Sequence, residues 1–318
     1  MVALLVKIGF LIFHNEGGVR LMFLILNCLS ILLICRLSKS INEKVLVSII
    51  GSIVFLQVYG FFAIPDVPSV FFSIVFYFCY NLYVKKETGL STISISFSIA
   101  ALLYSKYHGV LIVFFTLLSN LQLFKRRSMY IIIALVSILM IPHLIWLINH
   151  NFISVTYQLF ERSQKQYSAY NTFSYLIQPF ILMGLAGIHV FVRIIKYKPI
   201  NQFEKTLKYN FTGTLIFFFI MSFKGRVEGN WTSIAIAPMA LIAIKAYELE
   251  SEKNRVVLYK IFMISYLIYF ATLLFFMVDY LPRSISKKTE FHYQKEWSNA
   301  IEQVALKKPV VFYNSYQS

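Results

Sequence analysis

Apolar runs of about 15 to 23 residues recur along nearly the whole chain, and charge enters only in short clusters between them. A helix that crosses a bilayer needs roughly 17–25 such residues, so the pattern predicts an all-α polytopic membrane protein. Composition agrees: 58% of the 318 residues are hydrophobic and 14% charged, whereas a soluble domain is already near its limit at about half apolar. The runs predict ten spans, at 19–36, 45–63, 68–84, 90–104, 108–124, 129–149, 173–195, 209–223, 232–247 and 256–279. The fourth and eighth are short and must borrow flanking residues or sit in a locally thinned bilayer.

A net charge of +16 would suit nucleic acid if the basic residues formed one patch. Instead they occupy alternate loops. With every span crossing once, one set of loops carries seventeen Lys and Arg, from Arg36 to Lys260, and the opposite set carries five: Lys106, Arg162, Lys165, Lys224 and Arg226. That bias places the first set in the cytoplasm, beside anionic headgroups, and argues against a nucleic-acid partner. The turn at Asp66, the "SKYHG" turn (105–109), the loop 149–172 and the segment 223–232 then face outward from the cytoplasmic membrane. Trp146, Tyr157, Tyr167, Tyr170 and Trp231 at their edges suit a membrane–water interface. Cys28, Cys35 and Cys79 all fall inside apolar runs and read as small core hydrophobes.

Both ends differ from the middle. Residues 1–18 begin apolar but too short to span, as in an interfacial or re-entrant segment, ahead of a bundle over 19–280. The tail, 281–318, starts as an amphipathic helix with Trp297, Ala300, Ile301, Val304 and Ala305 on one face. It then enters a strand at 310–313, the expected opening of an extracytoplasmic α/β segment.

Carboxylates near the outer surface reduce to Glu16, Asp66, Glu161 and Glu228, with Asp279 at a helix end; the bases that could face them are Arg20, Lys106, His108, Lys224 and Arg226. Ionisable groups at membrane depth cost about 2.5–3.5 kcal/mol on insertion scales, so they tend to serve a function. Glu161, Arg162 and Lys165 lie in a long polar loop and read as solvated charge. Asp66 stands between Pro65 and Pro68 at an abrupt break between spans, either as a functional acid or as the cap of the following helix. Lys106 and His108 flank another abrupt turn, as functional groups or interfacial anchors. Arg226 and Glu228 are close enough to pair with each other. His143 and His189 lie within spans without a second ligand at helical spacing, so they read as packed, hydrogen-bonded side chains, and no metal site is expected. "NWT" at Asn230 matches a glycosylation acceptor, weakened by its place against the membrane.

The segments "MVALLVKIGFLIFHNEGGVRL" (1–21), "AIPDVPSVFF" (63–72), "LLYSKYHGVLIVF" (102–114), "IPHLIWLINHNFISVTYQL" (141–159) and "KGRVEGNWTSIAIAP" (224–238) follow one another in a characteristic order. In that order and spacing the chain resembles the bacterial members of the dolichyl-phosphate-mannose–protein mannosyltransferase-like superfamily. These are polytopic GT-C glycosyltransferases, and they include the aminoarabinose transferases of lipid A. The resemblance implies a bundle of about ten helices. It also implies transfer of a sugar from a polyprenyl phosphate to an acceptor hydroxyl, on a lipid, glycan or protein, at the outer face of the membrane. By the same resemblance Asp66 matches an acid of the second outer loop that shapes the site. Lys106, His108, Arg226 and Arg20 match donor- or phosphate-facing bases, and Glu16 and Glu228 match groups that shape the acceptor side. The acid usually taken as catalytic in the family precedes a His-Pro-Pro turn, and this sequence begins about one residue after that turn. The resemblance therefore implies a supporting role for Asp66 and a chain shortened at both ends, inactive or impaired by itself. Cofactor use stays open, a divalent cation included.

Two other readings fit ten spans: a lipid or solute transporter, and a non-catalytic remnant. Against the transporter, no pair of Gly/Pro-broken spans recurs at matching positions in two halves.

Overall fold

The computed structural model describes residues 1–38, 42–60, 62–156, 167–277 and 294–305. Contacts divide the chain into two compact units, Met1–Tyr269 and Phe270–Ser318. The described residues are helical and contain no strand. In chain order the helices are α1 (Val2–Ile12), α2 (Glu16–Leu37), α3 (Glu43–Gly51), α4 (Asp66–Lys85), α5 (Gly89–Ser105), α6 (Gly109–Ser119), α7 (Arg127–Asn149), α8 (Ile153–Thr156), α9 (Ala169–Arg193), α10 (Gln202–Ser222), α11 (Ile236–Glu248), α12 (Glu252–Met277) and α13 (Gln294–Ala305).

Helix starts are written locally. Asn15 accepts from the Gly18 amide at 3.1 Å, Asn42 from Lys44 at 2.9 Å, and Asn201 from Glu204 at 2.9 Å, each satisfying a donor that the first turn leaves open. Thr88 and Ser91 form a reciprocal capping box at the start of α5. Pro65 and Pro68 sit just before and within the first turn of α4, where a missing N–H breaks no helical bond.

Among the described residues five helices are long and apolar enough to cross a membrane: Glu16–Leu37, Asp66–Lys85, Arg127–Asn149, Ala169–Arg193 and Glu252–Leu274. They differ in what surrounds them. Within its most apolar stretch α4 is 61% buried, because α2, α5, α11 and the 229–235 turn pack around it. The corresponding stretches of α7 and α12 are only 11% buried and offer their apolar sides to lipid. The core runs through Phe23, Ile74, Tyr77, Phe211 and the nearly continuous buried stretch Ile236–Ala243 of α11.

Several expected spans are interrupted. The span at 45–63 ends as an α-helix at Gly51, where the Ser52 hydroxyl donates to Ile49 O at 2.7 Å, and resumes as a wide π-type turn, Phe55–Tyr59. Such a turn leaves carbonyls poorly served, and Asn27 Nδ2 compensates by donating to Leu56 O at 2.9 Å. α9 is likewise broken at Gly184, with φ +63°, and this glycine lies directly against the Ser52 carbonyl. The two breaks thus meet each other, which their separate sequences do not announce. The span at 108–124 becomes α6 followed by a 3₁₀ turn, Leu121–Lys125.

Residues 1–18 form α1 and the turn into α2. Gly9 and Gly18 let the two backbones touch, closing a helical hairpin. At the other end α13 lies within the expected amphipathic stretch, with Val304 83% exposed. The strand expected at 310–313, the acids Glu161 and Asp279, the bases Arg162 and Lys165, and Tyr157 lie outside the described residues.

Candidate active site

Three segments far apart in sequence converge on one carboxylate. Asp66 is the first residue of α4, Lys106 caps the C-terminus of α5, and Asn230 and Ser233 lie in the 3₁₀ turn Gly229–Ala235 that leads into α11. Asp66 Oδ1 accepts from Lys106 Nζ at 2.7 Å and from Ser233 Oγ at 2.6 Å, and Oδ2 accepts from Asn230 Nδ2 at 3.2 Å. Lys106 Nζ also donates to Asn230 O at 3.1 Å. Asp66 is 1% exposed. A buried charge persists only with a partner and hydrogen bonds for its lone pairs, and Asp66 has both. The helix-cap alternative is not what forms: Asp66 makes no side-chain cap bond, and Pro65 holds the cap position.

Lys106 keeps 14% of its side chain exposed, toward a cavity of about 410 Å³. Tyr104, Tyr107, His143 and Trp146 line that cavity with Lys106, and Met1 closes part of it. His143 Nε2 and Tyr107 OH lie 3.1 Å apart, while His143 and Trp146, one turn apart on α7, stack with centroids at 6.1 Å. Tyr104 OH donates to Leu139 O at 2.9 Å, fixing the ring. The chamber therefore joins one cation, held in place by a buried acid, to a wall of amphipathic rings.

Of the other expected site residues, His108, Arg226 and Glu228 lie on the segments that build this centre. His108 packs between Phe218 and Trp231, with centroids at 5.3 and 5.4 Å, behind the Lys106 turn. Arg226 faces Glu228 at 3.5 Å with its side chain 60% exposed, just ahead of Asn230 in the same loop. Arg20 reaches over the Phe62 ring at 6.0 Å, next to the turn that delivers Asp66, and Glu16 is exposed in the first turn of α2. The structure thus joins Asp66 directly to Lys106, pairs Arg226 with Glu228, and leaves Arg20 and Glu16 exposed at the start of α2.

His143, expected as a packed side chain, is half-buried and lines the cavity. Its i,i+3 spacing to Trp146 was the available signal. Ser233 and Asn230 gave none beyond the glycosylation pattern, and that pattern is not presented: Thr232 is fully buried and the Asn230 amide is engaged by Asp66. His189 packs edge-on to Phe262, and its Nε2 has no hydrogen-bond partner, unlike the satisfied side chain expected. Among the described residues no three of His, Cys, Asp and Glu gather as a metal site, and Cys28, Cys35 and Cys79 are free, Cys28 being exposed.

Residues 1–146 match the family model described as dolichyl-phosphate-mannose-protein mannosyltransferase. The match covers just under half of the chain and is a likeness to that family over these residues. The matched stretch includes Glu16, Arg20, Asp66, Lys106, His108 and His143. The fold is shared with two solved structures. It superimposes on the crystal structure of ArnT from Cupriavidus metallidurans in the apo state with a TM-score of 0.64 at 11% identity, over 80% of this chain and 50% of that one. The same ArnT bound to undecaprenyl phosphate gives a TM-score of 0.61, again at 11% identity and with the same coverage. The chain thus spans about half the length of these structures. No curated protein sequence matches it.

Proposed function

We propose that this chain forms the membrane part of a glycosyltransferase that takes a sugar from a polyprenyl-phosphate donor at the extracytoplasmic face and passes it to an acceptor hydroxyl. The observation that carries the reading is the Lys106 ammonium, held by buried Asp66 at the wall of an aromatic-lined cavity. The family match and the likeness to ArnT, crystallised with undecaprenyl phosphate, support the same donor class.

Displacing a polyprenyl phosphate at an anomeric carbon needs positive charge where the leaving phosphate gains its own, and a base for the incoming hydroxyl. Lys106 meets the first need. Asp66 already accepts from three side chains and is buried, so its part is to aim Lys106 rather than to take a proton from the acceptor. In this reading Arg226 and Arg20 draw the headgroup in, His108 braces the Lys106 turn, and Glu16 and Glu228 shape the acceptor side. One displacement breaks the anomeric C–O bond to the phosphate, which departs as polyprenyl phosphate and takes up the acceptor's proton, and it inverts the sugar's configuration.

The test is undecaprenyl phosphate binding to the purified protein in nanodiscs, followed by tryptophan fluorescence. A charge-assisted contact contributes about 1.5–3 kcal/mol, so Lys106→Ala should weaken binding by roughly 10- to 100-fold, with part of the loss restored by Lys106→Arg. Unchanged affinity in a folded Lys106→Ala protein overturns the reading.

A further inference from the structure

A second cavity, of about 440 Å³, lies at the opposite end of α10 from the Asp66 site, lined by Pro199, Ile200, Lys205, Lys208 and Tyr209 along with Asn201 and Gln202. α10 has 21 residues, so at 1.5 Å per residue its ends stand about 30 Å apart. One end leads to Asn230 and Ser233; the other opens into this cavity.

The cavity is made by the short connection between α9 and α10, which a buried acid holds in shape. Glu204 is 7% exposed and accepts from Tyr197 OH at 3.0 Å, from the Ile200 amide at 3.0 Å and from Asn201 Nδ2 at 3.3 Å. Burial, and then the Glu204 charge, push the Tyr197 phenol above its ordinary value, so it stays a donor. Gln202 Nε2 faces inward, to Ser119 O at 3.1 Å and to Thr206 Oγ1. The acid and both amides are thus committed to the loop. What the cavity offers a ligand is cationic: Lys205, exposed and lying over the Tyr209 ring at 5.6 Å, and Lys208, half-buried and anchored by one bond to Tyr197 O at 2.7 Å. The first turn of α10 adds its positive end. Lys196 and Lys198, both exposed, extend the field along the rim. Beside them Ile195 and Ile200 are 86% and 83% exposed.

Bare isoleucines next to a lysine-lined recess, at the polar end of a helix that turns apolar from Tyr209 onward, match the boundary between acyl chains and headgroups. We infer that this cavity is a binding site for the headgroup of an anionic phospholipid, whose phosphate lies between Lys205 and Lys208 while its acyl chains cover Ile195 and Ile200. A free phosphate would leave those isoleucines uncovered; a lipid covers both features at once. The site is independent of the sugar-transfer reading, because it needs only that the chain span a bilayer.

Native mass spectrometry of the full chain, released from detergent with phosphatidylglycerol or phosphatidylcholine, tests it. Phosphatidylglycerol should be retained in preference, and its thermal stabilisation should exceed that from phosphatidylcholine. Each lysine near the surface is worth about fivefold, so Lys205→Glu should cut retention by at least that factor, and Lys205→Glu with Lys208→Gln by more. Lys205 is exposed, so its single variant keeps the test sound if the double variant fails to fold. Equal retention of the two lipids, no change in Lys205→Glu, or an equal stabilisation by inorganic phosphate would each overturn the proposal.

Discussion

Asp66 shows how one carboxylate can be structural and functional at once. It joins α4, the end of α5 and the turn before α11 through Lys106, Asn230 and Ser233. Removing one partner of a buried pair leaves the other unpaired, so Asp66→Ala should lower unfolding stability by about 3 kcal/mol, the low end of the range because Lys106 still reaches the cavity. Adding Lys106→Met should recover part of that loss, since a neutral pair strands no charge. Thermal unfolding of the two single variants and the double variant in one detergent measures this coupling, and strictly additive losses would refute it. His143 makes a separate prediction. It touches the cavity rather than the core, so His143→Ala should weaken polyprenyl-phosphate binding several-fold while leaving the melting temperature within about 2 °C.

At the scale of elements, the breaks matter more than the spans. α3 stops at Ser52 and α9 bends at Gly184, and the glycine is needed twice over: its φ is +63°, and a side chain there would strike the Ser52 carbonyl. Gly184→Ala should therefore destabilise the protein by about 1–3 kcal/mol. Gly89, at the start of α5, has open space around it, so Gly89→Ala should be neutral or slightly stabilising. Comparing the two melting curves separates a position that requires glycine from one that merely has it. The hairpin of α1 and α2 follows the same logic, since Gly9 and Gly18 let the backbones meet where lipid supplies no hydrophobic drive.

Across the unit Met1–Tyr269, the decisive arrangement is two polar clusters joined by apolar helices. One gathers Asp66, Lys106, Asn230 and Ser233, with Arg226 exposed nearby. The other carries the α9–α10 connection and its lysines. The loop charges predict that the first cluster faces away from the cytoplasm. Arg226→Cys should then react with a membrane-impermeant maleimide in intact cells, and Lys198→Cys only after lysis. Both residues are exposed, so the reverse pattern would invert the topology and with it the proposed site.

The sequence alone determined that this chain is built of apolar helices, where most of them begin, and that Asp66 and Lys106 stand at abrupt turns. It could do so because apolar run length, capping residues and prolines act within a few residues of where they are read. Only the tertiary structure decided that those two side chains touch, that Asn230 and Ser233 complete the cluster from more than 160 positions away, and that His143 faces a chamber rather than lipid. The same holds for the meeting of Ser52 with Gly184. Each depends on how helices pack against one another, and no local pattern of residue types encodes which polar groups that packing brings within hydrogen-bond reach.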